Sequence, residues 1–316
     1  MESAQRNKCL DMLKGIGCIF VIFIHIPFPE ETEIGKLIYL LTHFSVPVFF
    51  MVSGYYVYGS DVKIILRRVK KLIKMLFYAI ALYFIYFLIV ENGNYESLFS
   101  VKGLLRIFIF GDFTVIWAGH LWFLSALIYI YLIYCVIKNS GNLVYALIPI
   151  LFTIHIVVYL VLGKDVFLYN NFLLMGLPFF LSGNFIAKYE KEIKRRWNNI
   201  SIFLAIAAGI IILGLRRFMM IDVSFIGTIL YSVGLFVFAI KNPDFSIHNV
   251  LWVLGQKYSM YVYIFHVLFI SIMGGYIENK WIAPLAITII SVLFSIAFEK
   301  IICAFSGWIK FCKDPN

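Results

Sequence analysis

Unbroken apolar runs of about 18 residues or more, repeated from one end of the chain to the other, leave few folds open. A run of that length crosses a hydrocarbon core about 30 Å thick as an α-helix, which satisfies every backbone N–H and C=O within itself. The composition agrees: of 316 residues, 62% are hydrophobic and 14% charged, where soluble domains are about half apolar and a quarter charged. Water alone cannot solvate such a chain. The runs are continuous rather than alternating, which argues against a transmembrane β-barrel. The expected fold class is therefore an all-α integral membrane protein.

Ten spans can be marked, at roughly 10–27, 37–58, 72–90, 121–137, 143–162, 166–187, 200–215, 223–240, 251–274 and 282–304; the seventh is short for a bilayer. The stretch 98–117, with Arg106 and Asp112 among Phe, Ile and Trp, is too interrupted for a span and suits an interfacial or re-entrant segment. The first run has the length of a signal-peptide core, but it holds Lys14 and His25 and no small-residue cleavage site follows, so it is read as retained. With no linker, repeat or soluble appendage, residues 1–316 read as a single membrane domain, one bundle of about ten helices.

Basic residues set the orientation, because Lys and Arg are retained on the cytoplasmic side. Lys63, Arg67, Arg68, Lys70, Lys71 and Lys74 follow the second span, and Lys188, Lys191, Lys194, Arg195 and Arg196 follow the sixth. Arg6, Lys8, Lys310 and Lys313 share that side, whereas Glu30, Glu31 and Glu33 follow the first span. Both termini are thus expected in the cytoplasm, with Arg216 and Arg217 as the one dissenting loop. The net charge of +10 follows from this layout and from attraction to anionic lipid; no soluble basic domain points to nucleic acid. The cysteines Cys9, Cys18, Cys135, Cys303 and Cys312 form no C-x-x-C pair and read as packing residues, with neither zinc nor a disulfide framework suggested.

Ionisable residues inside a span cost several kcal/mol by insertion scales, roughly 3 each, so Lys14 and His25 are default functional candidates. Eleven steps of about 100° return the two side chains to nearly one face, about 16 Å apart along the axis. Lys14 lies near the inner surface, where it can snorkel to water or phosphate, and His25 lies deep, toward the outer half. An imidazole there suits removal of a proton from a hydroxyl as it attacks an acyl carbon, or it is a neutral histidine bonded to a backbone carbonyl between helices. Arg67, Arg68 and Lys71 sit in a cationic cluster that suits phosphates as well as plain positive-inside topology. Ser53 offers a hydroxyl beside Gly54, and Trp122, preceded by His120, offers a ring that stacks on a sugar or anchors an interface. Gly15 and Gly17 read as sites of tight helix packing. His43, His155 and His248 form no arrangement, His266 is as readily structural as functional, and no carboxylate pair, phosphate loop or metal-ligand set appears.

Lys14-x10-His25 resembles the first-span motif of the acyltransferase-3 family of polytopic membrane acyltransferases: a basic residue, ten others and a histidine. The likeness continues through Val46-Pro-Val-Phe-Phe-Met-Val-Ser-Gly-Tyr55, Leu121-Trp122-Phe123-Leu124, Pro178-Phe-Phe-Leu-Ser-Gly-Asn184 and Ser259-Met-Tyr-Val-Tyr-Ile-Phe-His266, in order over most of the chain. Arg68-Val-Lys-Lys71 resembles the family's R-x-x-R pair with Lys in the second position. Lys14 stands where many members have Arg, keeping the charge but losing the bidentate fork.

This resemblance implies an enzyme of a bacterial inner membrane that moves an acyl group, commonly acetyl, from cytoplasmic acetyl-CoA to a hydroxyl of an envelope carbohydrate or related small acceptor. No permanently bound cofactor is implied, since acyl-CoA is the donor substrate. Under it His25 is the general base, Lys14 steers the donor, Arg67, Arg68 and Lys71 hold its phosphates, and Ser53 and Trp122 meet substrate. A transporter of a small polar solute using the same Lys14/His25 pathway is the alternative, and an inactive scaffolding member is a third reading. The acceptor and the oligomeric state are not specified by the sequence.

Overall fold

The computed structural model describes residues 6–90, 105–107, 111–162, 170–215 and 224–305. Among them all regular structure is helical, as lipid-embedded backbone requires. In chain order the helices are α1 (Lys8–His25), α2 (Glu33–Leu41), α3 (Ser45–Tyr55), α4 (Val62–Val90), α5 (Trp122–Ile137), α6 (Leu147–Leu162), α7 (Leu177–Lys188), α8 (Glu190–Arg196), α9 (Asn199–Leu215), α10 (Ser224–Lys241), α11 (Asn249–Val253), α12 (Ser259–Met273) and α13 (Ile282–Phe305). Single π turns, Phe172–Gly176 and Leu254–Tyr258, lead into α7 and α12.

Six described segments are long and apolar enough to cross a membrane: Glu33–Tyr55, Val62–Val90, Gly119–Ile137, Gly141–Leu162, Ser224–Lys241 and Ile282–Ala304. They become seven if Phe172–Lys188 and Glu190–Arg196, broken at Tyr189, count as one span. The sequence marks ten runs, and the remaining three fall short for visible reasons. α1 holds Lys8, Asp11 and Lys14 within 18 residues, α9 has 17 residues, and the 251–274 run contains a π turn with Gln256 and Lys257.

The basic run after the second span is helical, not a loop. α4 begins at Val62 and runs for 29 residues, about 43 Å at 1.5 Å per residue, longer than a core of about 30 Å. Its first four turns therefore carry the cations, with the apolar turns following. Of the interrupted stretch 98–117, only 105–107 and 111–117 are described; there the Arg106 Nε donates to Asp112 Oδ2 at 2.7 Å. That pairing explains how a carboxylate with 2% exposure is tolerated among apolar residues. Arg216, Arg217, Lys310, Lys313 and Cys312 lie outside the described residues.

Cα packing divides the chain into two compact units, Met1–Phe49 with Lys191–Asn316, and Phe50–Glu190. In the first, α1 packs on α11, the second π turn, α12 and α13 around a core of Cys18, Ile22, Leu254, Val262 and Ile287. In the second, α3 and α7 cross at two glycines: a Cβ at Gly54 would lie 1.8 Å from Phe180 O, and one at Gly183 would lie 1.9 Å from Met51 O. Asn184 Nδ2 donates to Gly54 O at 3.0 Å and locks the crossing. Cys9 and Cys18 are free and buried, as packing residues are; Cys303 is disulfide-bonded, which the sequence reading missed.

Candidate functional site

The first unit is built on α1. Asn7 caps it, its Oδ1 accepting from Leu10 N at 2.8 Å, which satisfies one of the N–H groups a helix start leaves open. One turn in, Asp11 is buried at 2% exposure and receives two cations: Arg6 Nε at 2.6 Å and Lys14 Nζ at 3.2 Å. The Lys14 side chain is 19% exposed. Two positive charges on one carboxylate leave this end of α1 with a net positive charge held in fixed geometry. Asp11 is the partner that the sequence reading passed over, although Asp11-x-x-Lys14 has the i,i+3 spacing that places two side chains together on a helix.

Close packing holds that turn in place. A Cβ at Gly15 would fall 2.1 Å from Leu251 O, and one at Gly255 would fall 1.8 Å from Asp11 O, so two backbones touch at a pair of glycines, as small residues permit within membranes. Gly17 meets the Phe49 and Phe44 rings instead. Further along, Cys18 Sγ donates to Ser259 O at 3.5 Å.

His25 is the last residue of α1 and is exposed. Its ring lies 5.1 Å from that of His266, centroid to centroid, with the planes at 50°. His266 is fully buried on α12, and its Nδ1 lies 2.8 Å from Tyr263 O and 3.2 Å from Val262 O. Carbonyls only accept, so Nδ1 carries a proton and donates it to them. The result is an exposed imidazole braced against a second, immobilised one. The partnership joins positions 25 and 266, a separation no local pattern encodes; the only sequence signal was the histidine closing the Ser259–His266 segment.

The other candidates belong to the second unit. Arg67 and Lys71 are exposed and Arg68 is half-buried; Arg68 Nη2 donates to Tyr56 O at 2.9 Å and Arg67 Nε to Lys63 O at 3.4 Å. Arg68 and Lys71, three residues apart on α4, share one helix face. Ser53 sits beside the α3–α7 crossing. Trp122 begins α5, half-buried, its ring 6.0 Å from Phe50. The preceding His120 is buried edge-on to Tyr83 at 5.0 Å. His155 Nδ1 bonds Leu174 O, and His248 caps α11 through Val250 N; both are structural contacts. Among the described residues no His, Cys, Asp or Glu group is placed to hold a metal ion.

The model of one family, described as an acyltransferase domain and numbered 3 among the acyltransferases, matches residues 7–300, nearly the whole chain and both units. The chain belongs to the acyltransferase-3 family. Together with its apolar helices this makes it a multi-pass membrane acyltransferase. No curated protein and no solved structure matches it. Within this acyltransferase, the matched region takes in the Arg6–Asp11–Lys14 cluster except for Arg6 itself, the His25–His266 pair and the α4 cations.

Proposed function

We propose that this acyltransferase moves an acetyl group from cytoplasmic acetyl-CoA to a hydroxyl of a cell-envelope carbohydrate or related acceptor, with His25 as general base. The observation that carries the reading is the His25 ring at the end of α1, exposed to an incoming group and braced by His266 at 5.1 Å. A base must be reachable yet held in one orientation, and a third group that orients it is the recurring arrangement. His25 takes the hydroxyl proton as the oxygen bonds to the thioester carbonyl carbon; the C–S bond then breaks, and the imidazolium returns the proton to the leaving CoA thiolate. Atoms and charge balance, giving an ester and free CoA.

The donor side follows from charge. CoA is anionic, and the net positive cluster around Lys14 guides it, with Arg67, Arg68 and Lys71 binding its phosphates from the cytoplasmic surface. Ser53 and Trp122 serve the substrate path. This scheme takes residues 1–316 as one functional domain of about ten spans in a bacterial inner membrane, both termini cytoplasmic, so that the acyl group rather than the whole donor crosses.

Membranes containing the protein are incubated with labelled acetyl-CoA. Label appears on envelope glycans with the wild type and is absent with His25→Ala at equal protein level. Label retained by His25→Ala overturns the assignment; no label with either protein, together with solute flux in vesicles, replaces transfer by transport.

A further inference from the structure

The end of the first unit that carries His25 also carries a cavity. α1 and α10 run antiparallel: Asn7 Nδ2 donates to Ala239 O at 2.9 Å and Cys9 N to Pro243 O at 3.1 Å, so the first residues of α1 meet the last of α10. Midway, Phe44 bridges Phe20 and Tyr231 at 5.7 and 5.6 Å. Each helix has 18 residues, about 27 Å, which puts Ser224, the start of α10, at the His25 end. Ser224 lines a cavity of about 520 Å3 with Glu30, Glu33, Lys36, His43 and Gly214.

The connector after His25 is pinned to that cavity. Thr32 Oγ1 donates to Pro29 O at 2.8 Å and caps α2 by accepting from Gly35 N at 3.0 Å. A Cβ at Gly35 would lie 2.0 Å from Pro29 O, so glycine lets the connector lie flat on the helix. Glu30, five residues beyond His25, thereby reaches the cavity rim. On the other wall Gly214 opens the space: among the described residues a Cβ there would have one neighbour, Leu40 Cδ1, at 3.7 Å.

We propose that this cavity between α2 and the α9–α10 ends binds a neutral sugar unit of the acceptor and delivers its hydroxyl to His25. The inference deepens the acetyl-transfer reading and rests on it. Two carboxylates line the cavity; Glu33 pairs with Lys36 at 2.8 Å, and Glu30 has no ion pair among the described residues. Anionic CoA is disfavoured there by like charge, which separates this entrance from the donor's at the Lys14 end. Carboxylates accept from adjacent sugar hydroxyls, the Lys36 ammonium donates to them, and Leu40 and Leu213 supply an apolar wall. The volume falls in the range of small-molecule sites, about 300–1,000 Å3.

The test uses the full chain in membranes with labelled acetyl-CoA and the glycans those membranes contain, comparing wild type, Gly214→Leu and the isosteric double variant Glu30→Gln/Glu33→Gln. Donor binding is read separately as the rise in melting temperature on adding CoA. The cavity assignment expects labelled product to fall about tenfold in both variants, with the CoA-induced rise unchanged. Label in the polymer fraction marks a glycan chain as the sugar's source, and label in the soluble fraction marks a free sugar. Labelling by both variants within about twofold of wild type overturns the assignment. So does a parallel loss of the CoA-induced rise, which would make this a donor or folding site. If Gly214→Leu does not accumulate, the exposed Glu30→Gln/Glu33→Gln pair decides alone. A wild type that labels nothing overturns the transfer reading itself, whereas a labelling wild type with labelling variants overturns only the cavity.

Discussion

The two ends of α1 solve the same problem in opposite ways. At the start, charge is kept by supplying a counter-charge: Arg6 and Lys14 share the buried carboxylate of Asp11, and a glycine pair brings Leu251 and Gly255 against the same turn. At the finish, an exposed imidazole leans on a second imidazole that is tied to two carbonyls. One end holds its basic side chains in an ion-paired cluster, and the other presents an imidazole. Within one 18-residue helix, an ion-paired lysine and an exposed imidazole are thus separated by about 16 Å, too far to interact directly.

The sharpest way to break this contrast is His25→Ala. It removes the proposed base from an exposed helix end, and transfer is expected to fall at least ~100-fold with protein yield unchanged. Asp11→Ala comes next and acts on stability. It leaves Arg6, 38% exposed, and Lys14, 19% exposed, without their buried counter-charge and is expected to cost about 2 kcal/mol, between the values for exposed and buried pairs, seen as a lower melting temperature. The double variant Asp11→Ala/Lys14→Ala recovers part of that loss, and full additivity in the cycle would deny the pairing. Lys14→Ala alone is expected to raise the donor KM about tenfold with little change in kcat, while Lys14→Arg, which keeps the charge, stays near wild type.

His266→Ala separates bracing from chemistry. Because His266 acts through His25, kcat is expected to fall about fivefold with the donor KM unchanged; a change in KM alone would show a different role. The smallest effect is expected from Arg68→Ala or Lys71→Ala. Each weakens donor binding about threefold in a way that disappears at high salt, as exposed charges do.

The helical membrane fold was legible because length and hydropathy are local. The runs that became α4, α5, α6, α10 and α13 needed no tertiary information. Of the ten apolar runs, ionisable or polar residues set apart two, α1 and the run with the Gln256–Lys257 turn, while α9 is one residue short and the Phe172–Arg196 segment is bent, which leaves six that satisfy length and apolarity together. The α4 cations were misplaced in a loop because a helix that outgrows the hydrocarbon core looks, in sequence, like a span preceded by a basic connector. Gly15 was read as a packing position and is one, but the glycine it faces, Gly255, has no local signature.

Sequence alone determined that the chain lives in a bilayer, that Lys14 and His25 share a face, and that a five-segment resemblance points to acyl transfer. Those features depend on residue type, on spacing within one helix and on order along the chain. Tertiary structure alone decided that Asp11 is buried, with Gly255 packed against its backbone, that His25 leans on His266, and that Glu30, Gly214 and Ser224 line one cavity. The physical reason is that each of these depends on backbone contacts between segments far apart in the chain. The Asn7–Ala239 and Gly15–Leu251 contacts set the register of α1 against its neighbours, and apolar periodicity does not encode that register.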